Sequence, residues 1–290
     1  MLVYVRMRQV SATTLRRMLL CAMFFVAVTP RPGIASLECM SIAGAASILR
    51  GGAVVLLGEI HGTDQAPEAI SALTCHALDR GLNVTVALEI PRDEQEAIER
   101  YLTPDDRSEP LMLDSLMKGS FWQRGYQDGR SSRGMLELLR SLRRYRAETE
   151  RVRVVIIDDP QAPEGRDAYM AHRLRDVRAG AQQDLILALT GNLHNRLVIG
   201  TRWNPQYEPM GYLLEKLLGS ETELVSLRIT HSGRSAWVCT GSAATDCGVR
   251  ELDGKDDLPM GIELFADSEH AAFSGRLHVG PISASPPAKN

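Results

Sequence analysis

The sequence predicts an α/β fold with a mostly parallel central sheet, helices on both of its faces, an extra helical excursion and a C-terminal antiparallel extension. Apolar runs alternate with amphipathic stretches, as in βα units around a parallel sheet. The runs are continuously apolar, which indicates strands that are covered on both faces. A chain of 290 residues with 44% hydrophobic and 24% charged residues can bury such a core without disulfides.

The N-terminal residues 1–35 are expected to be a signal peptide. They contain five arginines and no acidic residue, and residues 18–29 form an uncharged apolar stretch. This stretch is too short to cross a bilayer of about 30 Å. The small residues that a signal peptidase reads follow it, namely Gly33, Ala35 and Ser36. An amphipathic or buried N-terminal helix is the alternative.

The sequence around the first two cysteines argues against lipid attachment. Neither Cys21, after Leu20, nor Cys39, after Glu38, follows the small residue that a lipoprotein signal normally carries. We therefore expect a secreted, periplasmic protein with no stable membrane anchor after signal cleavage.

The charge of the chain bears on its partners. The net charge is −3, and removal of residues 1–35 would leave 28 basic and 36 acidic groups, a net charge of −8. This balance argues against a nucleic-acid partner. The sequence leaves homodimer formation open.

Four cysteines lie outside the predicted signal peptide. An even number of cysteines in an oxidising compartment suggests two disulfides. Cys239 and Cys247 are close enough in sequence to staple a hairpin, and by elimination Cys39 would pair with Cys75. Four buried free thiols are the alternative.

The elements follow in order along a single predicted domain, residues 36–280. The first helix is predicted over Gln65–Arg80, because Pro67 lies in its first turn and Gly81 ends it. Four apolar runs predict the core strands, at 53–57, 84–88, 152–157 and 185–189.

Between the second and third strands lies a longer excursion, predicted to form a helical flap over one sheet edge. Helical patterns occur at 93–102, 111–118 and 134–149. The region carries many arginines, which we interpret as a solvated helix face rather than an anion site. They include Arg124, Arg130, Arg133, Arg140, Arg143, Arg144 and Arg146.

The C-terminal region changes character after Gly200. A helix is predicted at 210–218, and apolar runs at 224–229, 236–240 and 261–265 resemble antiparallel edge strands or a meander. Residues 281–290 have no periodicity and are predicted to be a disordered tail.

Polar side chains follow each of the four core strands. Glu59 and His61 follow the first run, Glu89 the second, and His194 the fourth. Because ligands bind beyond the carboxyl ends of parallel strands, we expect these four residues to form one site. Asp158 and Asp159 follow the third run and are either a further carboxylate of the site or ordinary turn residues.

Two chemistries fit two histidines and a carboxylate. His61, Glu89 and His194 could hold iron, manganese, cobalt or zinc with positions open to water or substrate. Without a metal, a histidine could take a proton from water while a glutamate fixes its tautomer. The sequence has no Gly-x-Ser-x-Gly elbow, phosphate loop or His-Glu-x-x-His helix, which argues against serine hydrolases, kinases and zincin proteases.

Three motifs resemble a known superfamily. LLGEIHGTDQ, the strand ending ALEIP, and TGNLH are similar to the superfamily that joins the ChaN haem-uptake proteins, the Tiki proteases, the TraB proteins and the erythromycin esterases. Its members share two Gly-x-x-His motifs and a glutamate, which here match Gly58 with His61, Gly191 with His194, and Glu89. RDAYMAHRL and PMGYLL are further ChaN-like segments, so the resemblance covers about residues 53–218.

The ChaN branch implies a protein that binds haem or iron for uptake, with His61 and His194 as cofactor ligands. Haem iron can also be held by tyrosine. The candidates, each of which can equally be a packing residue, are Tyr169, Tyr207 and Tyr212.

The hydrolase branches imply a metal-dependent hydrolase of an ester or peptide bond acting on a small-molecule substrate. In this alternative His61, Glu89 and His194 hold the metal and Glu59 is the general base. A binding module that has kept the fold without catalysis is the third reading.

Overall fold

The computed structural model of the chain describes residues 39–104, 108–255, 258–266 and 272–289, which belong to one compact unit. The predicted signal peptide, residues 1–35, lies outside the described residues. Within the described ranges, no helix is both long enough and apolar enough to cross a membrane.

The described part of the chain contains nine strands and seven α-helices. The strands are β1 Val54–Glu59, β2 Val84–Pro91, β3 Val152–Asp158, β4 Leu185–Gly191, β5 Leu224–Thr230, β6 Gly233–Cys239, β7 Cys247–Asp253, β8 Gly261–Leu264 and β9 Gly275–His278. The helices are α1 Gln65–Asp79, α2 Gln95–Leu102, α3 Glu109–Met117, α4 Ser120–Gln123, α5 Arg133–Glu148, α6 Arg166–Gly180 and α7 Met210–Leu218.

Seven of these strands form one sheet, in the order β3-β2-β4-β1-β5-β9-β8. All neighbours are parallel except β8, which pairs antiparallel with β9. Strands β6 and β7 form a separate antiparallel hairpin. The predicted fold class is confirmed. Because β1 to β4 are parallel, their carboxyl ends all meet at one edge of the sheet.

The core lies on both faces of this sheet. Successive side chains of a strand point to opposite faces. Val55 of β1 accordingly belongs to the buried cluster that contains Ile70 of α1 and Leu139 of α5, whereas Leu56 belongs to the one that contains Leu174 of α6 and Leu214 of α7. The predicted helical excursion covers more than the edge of the sheet: α5 is buried beside α1 on one face, while Gln95 of α2 lies at the β3 edge.

The C-terminal region differs in part from its prediction. Strands β5 and β9 extend the sheet in the parallel sense, and only β8 is an antiparallel edge strand. Strands β7 and β9 were not predicted. Strand β7 carries alternating charges and is largely exposed, so no apolar run marks it.

The prediction of a disordered tail at 281–290 is wrong for the described residues 281–289, which we call the C-terminal strap. Ile282 and Ser285 are fully buried, and bridges join Ala284 to Thr63 and Pro287 to Ser132. Backbone hydrogen bonds and small side chains hold the strap, and neither produces the hydrophobic periodicity on which the prediction depended.

Both predicted disulfides are present. Cys39 is bonded to Cys75 of α1, and Cys239 is bonded to Cys247. The second bond joins residues that face each other across the β6–β7 hairpin.

Several outward-facing backbone groups of the two edge strands have partners. At the β3 edge, the side chain of Gln95 donates to the carbonyl oxygen of Val154 (3.2 Å) and accepts from the Ile156 N–H (2.8 Å). At the opposite edge, the N–H of Ile262 in β8 donates to the carbonyl oxygen of Ala43 (2.8 Å).

Candidate functional site

The four residues predicted for the site lie together at the carboxyl edge of the sheet. Glu59 ends β1 and His61 follows it, Glu89 lies near the end of β2, and His194 follows β4. Glu89 is central, because its Oε1 lies 3.6 Å from the Nε2 of His61 and 4.0 Å from the Nε2 of His194. The strand order explains why these residues are close together, since β2, β4 and β1 are neighbours in the sheet and each ends at the same edge.

The first histidine forms a pair with a buried carboxylate. The Nδ1 of His61 donates to Glu59 Oε1 at 2.9 Å. Burial lowers the pKa of His61, but the charge of Glu89 and the hydrogen bonds to Glu59 and Glu89 together outweigh it and raise this pKa from 6.5 to about 10. Burial raises the pKa of Glu59, against the opposing effect of His61. His61 is therefore an imidazolium at neutral pH.

The second histidine also has a carboxylate partner, Asp167, which was not among the predicted site residues. The Nδ1 of His194 donates to Asp167 Oδ1 at 2.7 Å. Asp167 also accepts from the Tyr207 hydroxyl (3.1 Å) and from the Met210 N–H (2.8 Å). The Nε2 of His194 lies 3.4 Å from Nη1 of Arg166, which can donate to it. In the tautomer with its proton on Nδ1, His194 presents the lone pair of Nε2 to this arginine.

Asp167 escaped prediction because it lies in the first turn of α6 rather than after a strand. The only signal was its place in RDAYMAHRL, which the family resemblance had already marked.

Two arginines also enter the site. Arg166 donates to Asp158 Oδ1 at 2.6 Å and also binds Glu89. Arg130 donates to Asp158 Oδ2 at 2.7 Å and to Asp128 Oδ2 at 2.8 Å. The interpretation of Arg130 as part of a solvated face is wrong, since its side chain is only 11% exposed.

The two aspartates after β3 have different positions. Asp158 is fully buried beneath the two arginines and is thus a carboxylate of the site. Asp159 instead pairs with the exposed Arg92 at 3.1 Å and accepts from the N–H of Gln161, as a turn residue does.

Glu89 is held in its ionised form from several sides. Its Oε2 accepts from the Gly191 N–H at 2.6 Å. Burial raises the pKa of Glu89, but His61, His194 and Arg166 together hold it well below its usual value of 4.5. An added Cβ at Gly191 would lie 3.1 Å from His61 Nε2, so a larger residue there would press on this imidazole.

The donor set does not fit the predicted metal centre of His61, Glu89 and His194. Among the residues that the structure describes, no group of three or more His, Cys, Asp or Glu side chains is arranged to hold a metal ion. The oxygens of Glu89 that would face a metal accept hydrogen bonds from Arg166 and Gly191 instead. A cation there would also lie beside two guanidinium groups, which repel it.

The candidate haem ligands are spread out. Tyr207 reaches the site through Asp167 and lies 3.3 Å from His194 Nδ1. Tyr212 instead lies under the ammonium group of Lys216 (4.0 Å), and Tyr169 is half-buried on α6. The surroundings of the two histidine Nε2 atoms are charged, whereas a haem needs an apolar slot.

Comparisons with known proteins agree with the fold. No family model and no curated protein matches the chain. Among solved structures, an erythromycin esterase matches with a TM-score of 0.61 and 12% identity, over 84% of this chain and 94% of that one. A succinoglycan biosynthesis protein matches with a TM-score of 0.56 and 10% identity, over 83% and 90%. A Bacillus cereus protein matches with a TM-score of 0.52 and 11% identity, over 84% and 92%. At these identities the likeness shows the fold.

The raised pKa of His61 predicts a pH-dependent contribution to stability. The interactions that raise the pKa of His61 in the folded state stabilise the protein fully below pH 6.5. This stabilisation is lost as the pH rises towards 10. The difference in unfolding free energy between the wild type and His61→Gln should therefore shrink over this range, with a slope of up to about 1.4 kcal/mol per pH unit. Urea titrations of both proteins at several pH values measure it. A constant difference would show that His61 does not titrate in this window.

Proposed function

We propose that this protein is a metal-independent hydrolase of an ester bond. The observation that carries the proposal is a pair of histidines, each with its Nδ1 on a carboxylate and its Nε2 turned towards Glu89. A carboxylate on Nδ1 fixes the tautomer and stabilises the imidazolium that forms when the other nitrogen takes a proton. The fold shared with an erythromycin esterase agrees with this chemistry.

His194 is the proposed general base. Its Nε2 carries the lone pair, and Asp167 holds its Nδ1–H. In the proposed reaction, Nε2 takes one proton from water while the water oxygen attacks the carbonyl carbon of the ester.

Arg166 is proposed to stabilise the oxyanion, and His61 is proposed to act as the general acid. The side chain of Arg166 is 28% exposed and keeps a guanidinium N–H near His194 Nε2, where it can stabilise the oxyanion. His61 starts as an imidazolium and gives its Nε2 proton to the leaving alcohol oxygen as the C–O bond breaks. The products are an acid and an alcohol, and proton exchange with water restores both histidines. The raised pKa of His61 supports this division into acid and base.

Hydrolysis of p-nitrophenyl butyrate and of erythromycin, the latter a macrocyclic ester, tests the proposal. We expect the wild type to hydrolyse at least one of them, with and without EDTA, and His194→Ala to lose about 10²- to 10⁴-fold in kcat. His172→Ala is the matched control, since this exposed histidine lies on α6 more than one helical turn after Asp167.

Two results of the hydrolysis assays would overturn the proposal. One is the absence of hydrolysis in a wider panel of esters and lactones. The other is activity that EDTA removes and a divalent metal restores, which would favour the metal-dependent hydrolase. A haem titration with a saturable Soret shift that His61→Ala and His194→Ala abolish would favour haem uptake instead.

We also propose that the protein works outside the cytoplasm, in the bacterial periplasm. The two disulfides support this, because such bonds persist mainly in oxidising compartments. Fractionation of cells that produce the full-length chain tests it, and recovery of the protein only in the cytoplasmic fraction would contradict it.

A further inference from the structure

The C-terminal strap binds the turn that carries His61. The N–H of Ser285 donates to the carbonyl oxygen of Gly62 at 2.8 Å, and the N–H of Asp64 donates to the carbonyl oxygen of Ser283 at 3.1 Å. The first of these bonds is made by Gly62, the residue that follows His61 directly, and the two bonds flank Thr63. The strap therefore holds the backbone on the carboxyl side of this histidine.

The same strap binds the segment that carries Arg130. The N–H of Ala288 donates to the carbonyl oxygen of Ser131 at 2.9 Å, and the N–H of Arg133 donates to the carbonyl oxygen of Pro286 at 2.8 Å. The Ser285 hydroxyl accepts from the Gly134 N–H at 2.7 Å. Ser285 is fully buried between the two segments, so one residue touches both.

The β6–β7 hairpin also binds both the His61 turn and the segment before Arg130. The N–H of Trp237 also donates to the carbonyl oxygen of Gly62 (2.8 Å), and the indole N–H of Trp237 donates to the carbonyl oxygen of Gln127 (2.7 Å). The strap is joined to this hairpin, since Ile282 exchanges backbone hydrogen bonds with Gly233 and Ser235.

The turn at Gly62 has no room to adjust. Gly62 has a φ of +78°, in the left-handed region, and an added Cβ would lie 2.0 Å from the carbonyl oxygen of Trp237. Both lone pairs of its carbonyl oxygen are used, by Ser285 and Trp237. A shift of the strap would thus move the backbone next to His61.

We propose that the C-terminal strap is the positioning element of the site, which fixes the turn of His61 and the segment of Arg130 relative to each other through Ser285. The two segments are distant in sequence, and they also meet directly, since an added Cβ at Gly129 would lie 2.6 Å from the backbone nitrogen of Gly62, and through their side chains at Glu89 and Asp158. The expected loss of kcat rests on the proposed function. The expected displacement of the His61 imidazole does not.

The test is Ser285→Pro in the full-length chain, which removes the N–H that binds Gly62. We expect kcat for p-nitrophenyl butyrate to fall about 10- to 100-fold with KM changed less than about threefold. We also expect the NMR resonances of the His61 imidazole to move from their wild-type positions. The matched control is Ser283→Pro, an exposed strap position that keeps its carbonyl oxygen for the Asp64 N–H and whose own N–H donates to the Gln65 side chain.

The proposal is overturned if Ser285→Pro matches Ser283→Pro in kcat and in the His61 resonances. If Ser285→Pro shows no cooperative unfolding, Ser285→Ala decides the matter, because it loses only the hydroxyl bond to Gly134. We then expect a loss in kcat of about threefold or more and a smaller shift of the His61 resonances, and no change in either would overturn the proposal.

The two proposals fail separately. If the wild type hydrolyses no ester, the proposed function fails, while the His61 resonances of Ser285→Pro still decide the role of the strap. If the wild type is active and the variants are unchanged, the positioning role alone fails.

Discussion

Replacing Glu89 by glutamine should lower the free energy of unfolding by about 3–5 kcal/mol, the range for removing one partner of a buried ion pair. Glu89 is buried and faces His61, Arg130 and Arg166, so the neutral amide would leave their positive charges without this partner. Urea denaturation at pH 7 measures the change.

Glu96→Gln is the control for this experiment. Glu96 pairs with Arg100 on the exposed face of α2, and its removal should cost at most about 0.5 kcal/mol. Equal losses for the two variants would show that the charges at Glu89 are compensated by water or by Asp158 and that Glu89 is not the centre of the network.

Replacing Asp167 by asparagine should lower kcat for ester hydrolysis by about 10²- to 10⁴-fold while the protein stays folded. An amide can donate to His194 Nδ1, which would place the proton on Nε2 and remove the lone pair that the proposed base needs. Steady-state kinetics on the ester that the wild type hydrolyses best, together with a thermal unfolding curve, measure both effects.

Asp176→Asn on the same helix is the matched control, since Asp176 is exposed and contacts only its neighbour Arg175 among the described ion pairs. Its kcat should equal that of the wild type. If Asp167→Asn keeps kcat within about threefold of the wild type, His194 is not oriented by Asp167 in the reaction, and the assignment of the base fails.

The sequence was most informative where burial is continuous. Strands β1 to β4 are buried along nearly their whole length, so their apolar runs were visible, and the polar residues that follow them could be assigned to one edge of the sheet. That reasoning brought together Glu59, His61, Glu89 and His194.

The remaining site residues could not be found in this way. Arg166 and Asp167 open a helix, and Arg130 lies in an irregular segment, so neither position has a periodic signal. An arginine that pairs with a buried carboxylate has the same identity as one on a solvated face, and only the tertiary fold distinguishes them. The sequence favoured a metal for the same reason. Two histidines and a glutamate are common metal ligands, and the sequence alone does not show that two arginines lie beside them.

The backbone partners at the two sheet edges have a consequence for behaviour at high concentration. An open strand edge is a template on which a strand from another molecule can add. At β3 the amide of Gln95 occupies the outward-facing groups of Val154 and Ile156, and at β8 the carbonyl oxygen of Ala43 occupies the N–H of Ile262. An incoming strand would have to displace these groups before it could pair, so the fold protects these positions against edge-to-edge aggregation.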